Sequence, residues 1–239
     1  MKSSKPLRAF WQAGIDLILT PTCFSCGERL DRARDVLCRH CMEKAIPLDD
    51  NSCPRCHTLM EAGKCPECDS GEISYDFAHS AWIFQGPIKD VIHYFKYNAY
   101  SSLSAWLGEA MYRAYQEEDA LHNCDVITPV PLYFTRKKER GYNQSELLAR
   151  CLSKKSAIPY CRLLKRTRHT ASQTLLSKAE REHNLDGAFA LRGKQEVSGK
   201  RILLIDDVFT TGTTANQIAI LLKKHGAREV NIFTAARAA

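Results

Sequence analysis

The spacing of apolar positions changes character along the chain. Near the start, Leu7, Phe10 or Trp11, Gly14 or Ile15, and Ile18 fall at helical spacing and Pro21 closes the run, predicting an amphipathic lead-in helix. Lys2, Lys5 and Arg8 precede it. Gln12, Gly14 and Asp16 interrupt its apolar side and no small-residue cleavage site follows, so it does not read as a signal peptide. From there to about Gly71 long apolar runs disappear and turn residues dominate. Beyond Gly71, apolar strands alternate with helical stretches. Strands are expected at His79–Phe84, Asp125–Val130, Tyr160–Leu164, Arg201–Ile205 and Glu229–Thr234. Helices are expected at Pro87–Tyr97, Ser102–Glu117, Ser145–Lys154 and Thr214–His225, the last closed by Gly226. The polar stretch Arg166–Asn184 reads as a mobile loop with a helical end. Strands and helices in alternation imply an α/β fold: a parallel sheet with helices on both faces, over residues 72–239, behind a small module of residues 1–71. No run of eighteen apolar residues occurs, so no membrane span is expected.

Cysteine sharpens that division, since eight of the eleven Cys lie between positions 23 and 68. They form four Cys-x-x-Cys knuckles: Cys23/Cys26, Cys38/Cys41, Cys53/Cys56 and Cys65/Cys68. Such a turn places two thiolates where both reach one Zn²⁺, and two knuckles complete a tetrahedron. Repeated pairs in a turn-rich segment favour two structural four-cysteine zinc sites over disulfides or a redox pair. Sequential pairing closes the shortest loops; interleaved and nested pairings stay open. Residues 1–71 carry ten basic and ten acidic side chains. Two zinc–tetrathiolate centres, at about −2 each, would make the module acidic, which disfavours nucleic acid and points to stability or protein docking.

The strongest chemistry lies near the C-terminus. Ile202–Ile205 suits a central parallel strand, and Asp206-Asp207 stand at its carboxyl end, where ligands of open α/β sheets bind. Two adjacent carboxylates there are costly unless hydroxyls or cations meet them; ribose hydroxyls with Mg²⁺ nearby would do so. Thr210-Thr211-Gly212-Thr213-Thr214 follows and opens a helix, so backbone N–H groups and hydroxyls make an anion cradle. Neither Gly-x-x-x-x-Gly-Lys-Ser/Thr nor Gly-x-Gly-x-x-Gly competes with it.

Net charge adds a second element. The chain carries +7, yet residues 133–170 alone hold eleven Lys/Arg against two Glu, +9 by difference. The basic character is therefore local and suggests a polyanion, a phosphorylated metabolite or nucleic acid. Its densest part, Arg136-Lys137-Lys138-Glu139-Arg140-Gly141-Tyr142-Asn143-Gln144, is read as a basic loop after the strand ending in Pro129-Val130-Pro131.

The run from Ile202 to Thr214 resembles the signature of type I phosphoribosyltransferases, which bind 5-phosphoribosyl-1-pyrophosphate (PRPP) with Mg²⁺. The wider series is more specific: cysteine knuckles, Phe95-Lys96-Tyr97, Pro-Val-Pro, Arg-Gly-Tyr-Asn-Gln, Gln173 with Glu180-Arg181 and Asn184, then Asp-Asp-Val-Phe-Thr-Thr-Gly-Thr-Thr. Together they resemble the ComF family of competence proteins, over nearly the whole chain. The resemblance implies a zinc ribbon before a type I phosphoribosyltransferase-like domain. It also implies a cytoplasmic role in DNA uptake during natural transformation. It assigns Asp206 and Asp207 to the ribose hydroxyls and Thr210, Thr211, Gly212, Thr213 and Thr214 to the 5′-phosphate. Lys96, Arg136, Arg140 and Asn143 fall on the pyrophosphate side, with Lys165, Arg166 and Arg168 at the start of a closing loop. The partners it implies are PRPP or a related phosphosugar, single-stranded DNA, and a helicase or channel of DNA uptake. The alternative is a single-strand-binding or adaptor protein that keeps the fold without turnover.

Overall fold

The computed structural model describes residues 21–48, 52–58, 60–65, 68–69, 73–168 and 187–238. The expected lead-in helix and most of the loop 166–184, with Gln173, Glu180, Arg181 and Asn184, lie outside the described residues. Four parallel strands form the main sheet: β1 (Phe77–Ile83), β2 (Val126–Pro129), β5 (Arg201–Phe209) and β6 (Glu229–Arg237), in the order β1-β6-β5-β2. A separate antiparallel hairpin pairs β3 (Leu164–Arg166) with β4 (Phe189–Leu191). The helices are α1 (Arg39–Glu43), α2 (Gly86–Tyr97), α3 (Leu103–Glu117), α4 (Phe134–Arg140), α5 (Gln144–Ser156) and α6 (Thr213–Lys224).

The period of two along β5 divides the interior. Leu203 and Ile205 join the core built with α2, α3 and α5, whereas Ile202 and Leu204 join the core under α6. A sheet buried on both faces needs near-continuous apolar strands, which the runs at 202–205 and 230–236 supply. Each half of the cysteine module joins a different core. Cys23, Cys38 and Cys41 belong to the first, and Cys53, Cys56 and Cys65 to the second.

The cysteine module also covers the outer edge of β1. The N–H of Ala78 donates to the Arg55 carbonyl at 2.9 Å, and that of Ile83 to the Ile46 carbonyl at 2.9 Å. An edge strand with unpaired donors is an aggregation hazard, and the module removes it. Phe24 packs edge-on against Tyr94 and Tyr100, both at 5.2 Å. Arg237, at the end of β6, is buried; its guanidinium donates to the Cys56 carbonyl and the Thr58 hydroxyl and lies 4.7 Å from the centre of the Phe209 ring.

Three expectations are corrected. Tyr160–Leu164 is not a strand: Tyr160 forms one isolated bridge to Ile127, and extended pairing begins only at Leu164, with β4. Pro159 has no N–H to sustain a ladder there. The basic segment after Pro131 is not a loop. Phe134–Arg140 is helical, ended by Gly141 in the left-handed region at φ 79°, with Lys137, Lys138 and Arg140 in its last turn beside the carbonyl end of the dipole. Strand β5 does not stop before the acidic pair. It continues to Phe209 because β6 accompanies it to Arg237, whereas β2 leaves at Pro129, opposite Ile205.

Candidate functional site: a cavity at the carboxyl ends of β2 and β5

Loss of the β2 neighbour just before Asp206 opens a crevice, and a cavity of 530 Å³ fills it. It is walled by α2, α4, α5, the end of β5 and the start of α6. Asp206, Asp207, Thr210, Gly212, Thr213 and Thr214 line it, together with Lys96, Arg136, Arg140 and Arg166. Residues far apart in sequence thus surround one polar volume.

The acidic pair is individually supported. Lys96 Nζ stands 2.9 Å from Asp207 Oδ1. Asp206 Oδ1 accepts from the Ser145 hydroxyl at 2.7 Å and from the Asp207 N–H at 2.9 Å. Burial, and then the neighbouring Asp207 charge, push the Asp206 carboxyl up to about 6; Ser145 and Lys96 pull against them. Burial, followed by the Arg136 charge, pulls the Arg166 guanidinium below its ordinary value, and Asp206 opposes that shift. Excess charge of each sign is therefore held at short range in a half-closed space.

The turn that opens α6 depends on Gly212. It stands in the left-handed region at φ 69° as the N-cap of α6. A Cβ there would sit 2.8 Å from the Phe209 ring, so a side chain at this position would strain the turn and force the ring to shift. Thr211 is not among the cavity-lining residues; its hydroxyl meets that of Thr213 at 2.8 Å. Asn143 also stands behind the wall. It is buried, and its amide donates to the Val130 carbonyl at 3.0 Å, pinning the chain where β2 ends.

Several residues of this site escaped sequence reasoning. Ser145 looked like an ordinary first-turn residue, yet it holds Asp206. Gln144 is buried and donates to the Phe95 carbonyl at 3.3 Å, while the Tyr142 hydroxyl donates to the same carbonyl at 2.6 Å. These two bonds tie the Gly-Tyr-Asn-Gln turn to the end of α2 that carries Lys96. Lys89, His93 and Tyr97 complete the wall, and Arg140 lies 5.1 Å over the Tyr97 ring. The unusual Gly-Tyr-Asn-Gln turn was the available signal; its long-range partners were not.

The cysteines form two compact groups, Cys23/Cys26/Cys38/Cys41 and Cys53/Cys56/Cys65/Cys68. This is the sequential pairing. A tetrahedral zinc with Zn–S of ~2.3 Å requires S···S edges of roughly 3.8 Å. The sulfurs stand 3.7 Å apart for Cys26–Cys38 and Cys53–Cys68, 3.5 Å for Cys56–Cys65 and 3.4 Å for Cys56–Cys68. The Cys41 N–H points to Cys38 Sγ and the Cys68 N–H to Cys65 Sγ, as a thiolate acceptor in a knuckle requires. Both groups fit structural zinc ribbons.

Family models agree with both halves: a double zinc ribbon domain matches residues 14–70, and a phosphoribosyl transferase domain matches residues 119–239. Competence protein F of Haemophilus influenzae is 34% identical over 225 residues, spanning 90% of this chain and 96% of its own length. The chain belongs to the ComF family. Other relatives are the DNA utilization protein YhgH of Escherichia coli K12, 30% identical over 228 residues (90% of this chain, 96% of the relative), and Competence protein ComFC of Bacillus subtilis, 26% identical over 215 residues (84% of each). This ComF-family chain therefore joins a zinc-ribbon module to a phosphoribosyltransferase-type sheet. No helix among the described residues is long and apolar enough to cross a membrane.

Proposed function

We propose that the cavity binds PRPP, or a closely related phosphosugar, with Mg²⁺, and that the protein uses this site in handling incoming DNA in the cytoplasm. The observation that carries the reading is the arrangement inside one cavity: paired carboxylates, a helix start opened by Gly212, and four cations facing them. Each part suits one part of the ligand. The N–H groups and hydroxyls from Thr210 to Thr214 suit a terminal phosphate. Asp206 and Asp207 suit vicinal hydroxyls, which donate to carboxylates. Lys96, Arg136, Arg140 and Arg166 suit a pyrophosphate. Asn143 acts indirectly by fixing the end of β2, and Thr211 by orienting Thr213.

The donor set also fits Mg²⁺, a hard cation that takes carboxylate and phosphate oxygens; Asp206 and Asp207 are the residues to hold it or its waters. When bound, the ion neutralises pyrophosphate charge. The side chains bind and orient the sugar and keep water from its anomeric carbon. No nucleophilic side chain is required for transfer by positioning and electrostatics.

Calorimetric titration of Mg-PRPP tests this reading beside an Asp206→Asn/Asp207→Asn variant of equal zinc content. Saturable binding to the natural protein and none to the variant is the expected result. No binding to a folded, zinc-loaded natural protein overturns it. Turnover is read separately, as pyrophosphate release that depends on both Mg-PRPP and an added acceptor.

A second reading rests on α4. Phe134 is 66% exposed beside Arg136, Lys137 and Lys138, and Tyr97 is 61% exposed under Arg140. Aromatic faces among cations suit stacked single-stranded bases. The relatives' names favour a DNA role of this kind, in which the zinc module would dock a helicase or channel of uptake. Single-strand binding that weakens with salt and falls in Phe134→Ala and in the Arg136/Lys137/Lys138 alanine variant is expected; binding unchanged in both removes α4 as its source.

A further inference from the structure

A second cluster of ligand-bearing side chains lies outside both the cavity and the cysteine groups. His57 follows Cys56 directly, His79 is in β1, and Glu118 caps the end of α3. Their ligand atoms all lie within 4.8 Å of one another. Glu118 Oε2 stands 3.9 Å from His57 Nε2 and 3.9 Å from His79 Nδ1, too far for hydrogen bonds to either. His79 Nδ1 is buried and has no hydrogen-bond partner among the described residues. A buried ring nitrogen aimed at a carboxylate it does not touch leaves a gap between them.

The surroundings prepare these groups rather than satisfy them. His57 Nδ1 and the Ser52 hydroxyl stand 3.2 Å apart, an outer hydrogen bond of the kind that orients a ligating imidazole and leaves Nε2 facing inward. Glu118 Oε1 accepts the Ala120 N–H at 3.3 Å, which fixes the carboxylate and leaves Oε2 for the gap. The His79 ring is stacked with Phe77 and Phe233, at 6.3 and 5.8 Å, and so has little freedom to turn away. The three side chains are 18%, 14% and 24% exposed, half-buried with a path to solvent.

We propose that His57, His79 and Glu118 form a third metal site, for a borderline divalent cation such as Zn²⁺. Two imidazole nitrogens and one carboxylate oxygen are a donor set for Zn²⁺ and its neighbours in the first transition row, and not for Mg²⁺ or Ca²⁺, which take oxygen. Metal–ligand bonds of ~2.1 Å give tetrahedral edges of roughly 3.4 Å. The two edges to Glu118, at 3.9 Å, thus need a small contraction, the edge between the imidazoles lies within 4.8 Å, and the fourth position is left to water. Such an ion links the second zinc ribbon to the edge of the sheet and to the end of α3. It is a fastening distinct from the tetrathiolate centres, which stay within the module.

Cobalt titration of the metal-free full chain tests the site. Thiolate-bound Co²⁺ gives an intense near-ultraviolet charge-transfer band, and Co²⁺ held by nitrogen and oxygen gives only weak visible absorption. The expected result is continued growth of visible absorption after the thiolate band saturates. Native mass spectrometry should show one Zn²⁺ beyond those of the cysteine groups. Glu118→Gln, which keeps the Oε1 acceptor, and His79→Phe, which keeps the stacking ring, should each lose that last ion while the thiolate band stays at full intensity. The thiolate band thus reports that the ribbons remain intact in each variant. Simultaneous saturation of both signals in the natural protein overturns the proposal, whether or not the variants fold. Persistence of the extra ion at unchanged affinity in both variants also overturns it.

Discussion

The cysteine groups and the Asp206–Asp207 step both crowd groups of like charge, and they differ in what faces them. In each cysteine group, four potential thiolates surround one point, at spacings that suit a single ion. The ion would cancel much of their repulsion, and what remains is stabilisation of the fold. At the end of β5, two carboxylates meet one ammonium and one hydroxyl, and the guanidinium groups of Arg136, Arg140 and Arg166 line the same cavity. Charges of both signs are thus left lining a cavity and are not gathered around a single point. The contrast teaches that clustered charge closed by protein ligands serves stability, and clustered charge left lining a cavity is held at the expense of stability.

Substitutions can break or sharpen this contrast. The largest effect is expected for Cys56→Ser. Cys56 is fully buried, and its carbonyl receives Arg237, so losing this zinc should cost about 4 kcal/mol or more. Metal analysis and urea unfolding check this; unchanged stability with one zinc missing would place the second ribbon outside the cooperative unit. Next is Gly212→Ala, expected to cost roughly 2–3 kcal/mol, from left-handed backbone strain plus the clash with Phe209. Gly193→Ala has the same backbone problem, φ 63°, but no atom within 4 Å, and should cost only about 1 kcal/mol. The difference between their melting temperatures isolates the packing contribution.

Asp206→Asn tests the binding side, with opposite signs for stability and affinity. The folded-state value of about 6 lies above the ordinary carboxylate value of 3.8, so the natural protein loses stability as pH rises between them. The penalty is complete above about pH 6 and absent below about pH 4. Asparagine removes it, so the variant should be more stable by about 2 kcal/mol at about pH 8 and no more stable at about pH 4, while phosphosugar affinity falls. Thermal unfolding across that range provides the check, and a gain independent of pH would assign the effect to packing. The smallest effect on stability is expected for Ser145→Ala, which should instead cost about 1 kcal/mol of ligand affinity, read by the same calorimetry as the binding test.

Much of this architecture is legible in the linear chain because it is local. Apolar runs of period two, a Gly after a helix and Cys-x-x-Cys turns act within a few residues, and elements and knuckles follow from them. Asp206 to Thr214 is likewise one contiguous strand–turn–helix, so both halves of the cradle could be named together. The basic segment shows where local reading fails. Its charges and its place after a strand suggested a basic loop facing a polyanion, but Gly141 supplies a left-handed stop and the dipole accepts the cations, so a short helix forms. The extension of β5 past the acidic pair was hidden for another reason: it depends on how far β6 runs beside it.

What the sequence determined by itself is the inventory: a zinc-ribbon module, a parallel α/β domain, and a Thr-rich turn that follows two carboxylates and opens a helix. Those features depend on neighbours in the chain, and short-range sterics, hydrogen bonding and metal preference act on neighbours. Only the tertiary structure decided which side chains meet. It set Lys96 against Asp207, Ser145 against Asp206, Arg237 beneath the second ribbon, and His57 and His79 around Glu118. Those pairs join segments distant in sequence, brought together by burial of two separate cores across one sheet, and apolar burial is non-directional and leaves no spacing in the chain from which its partners can be read.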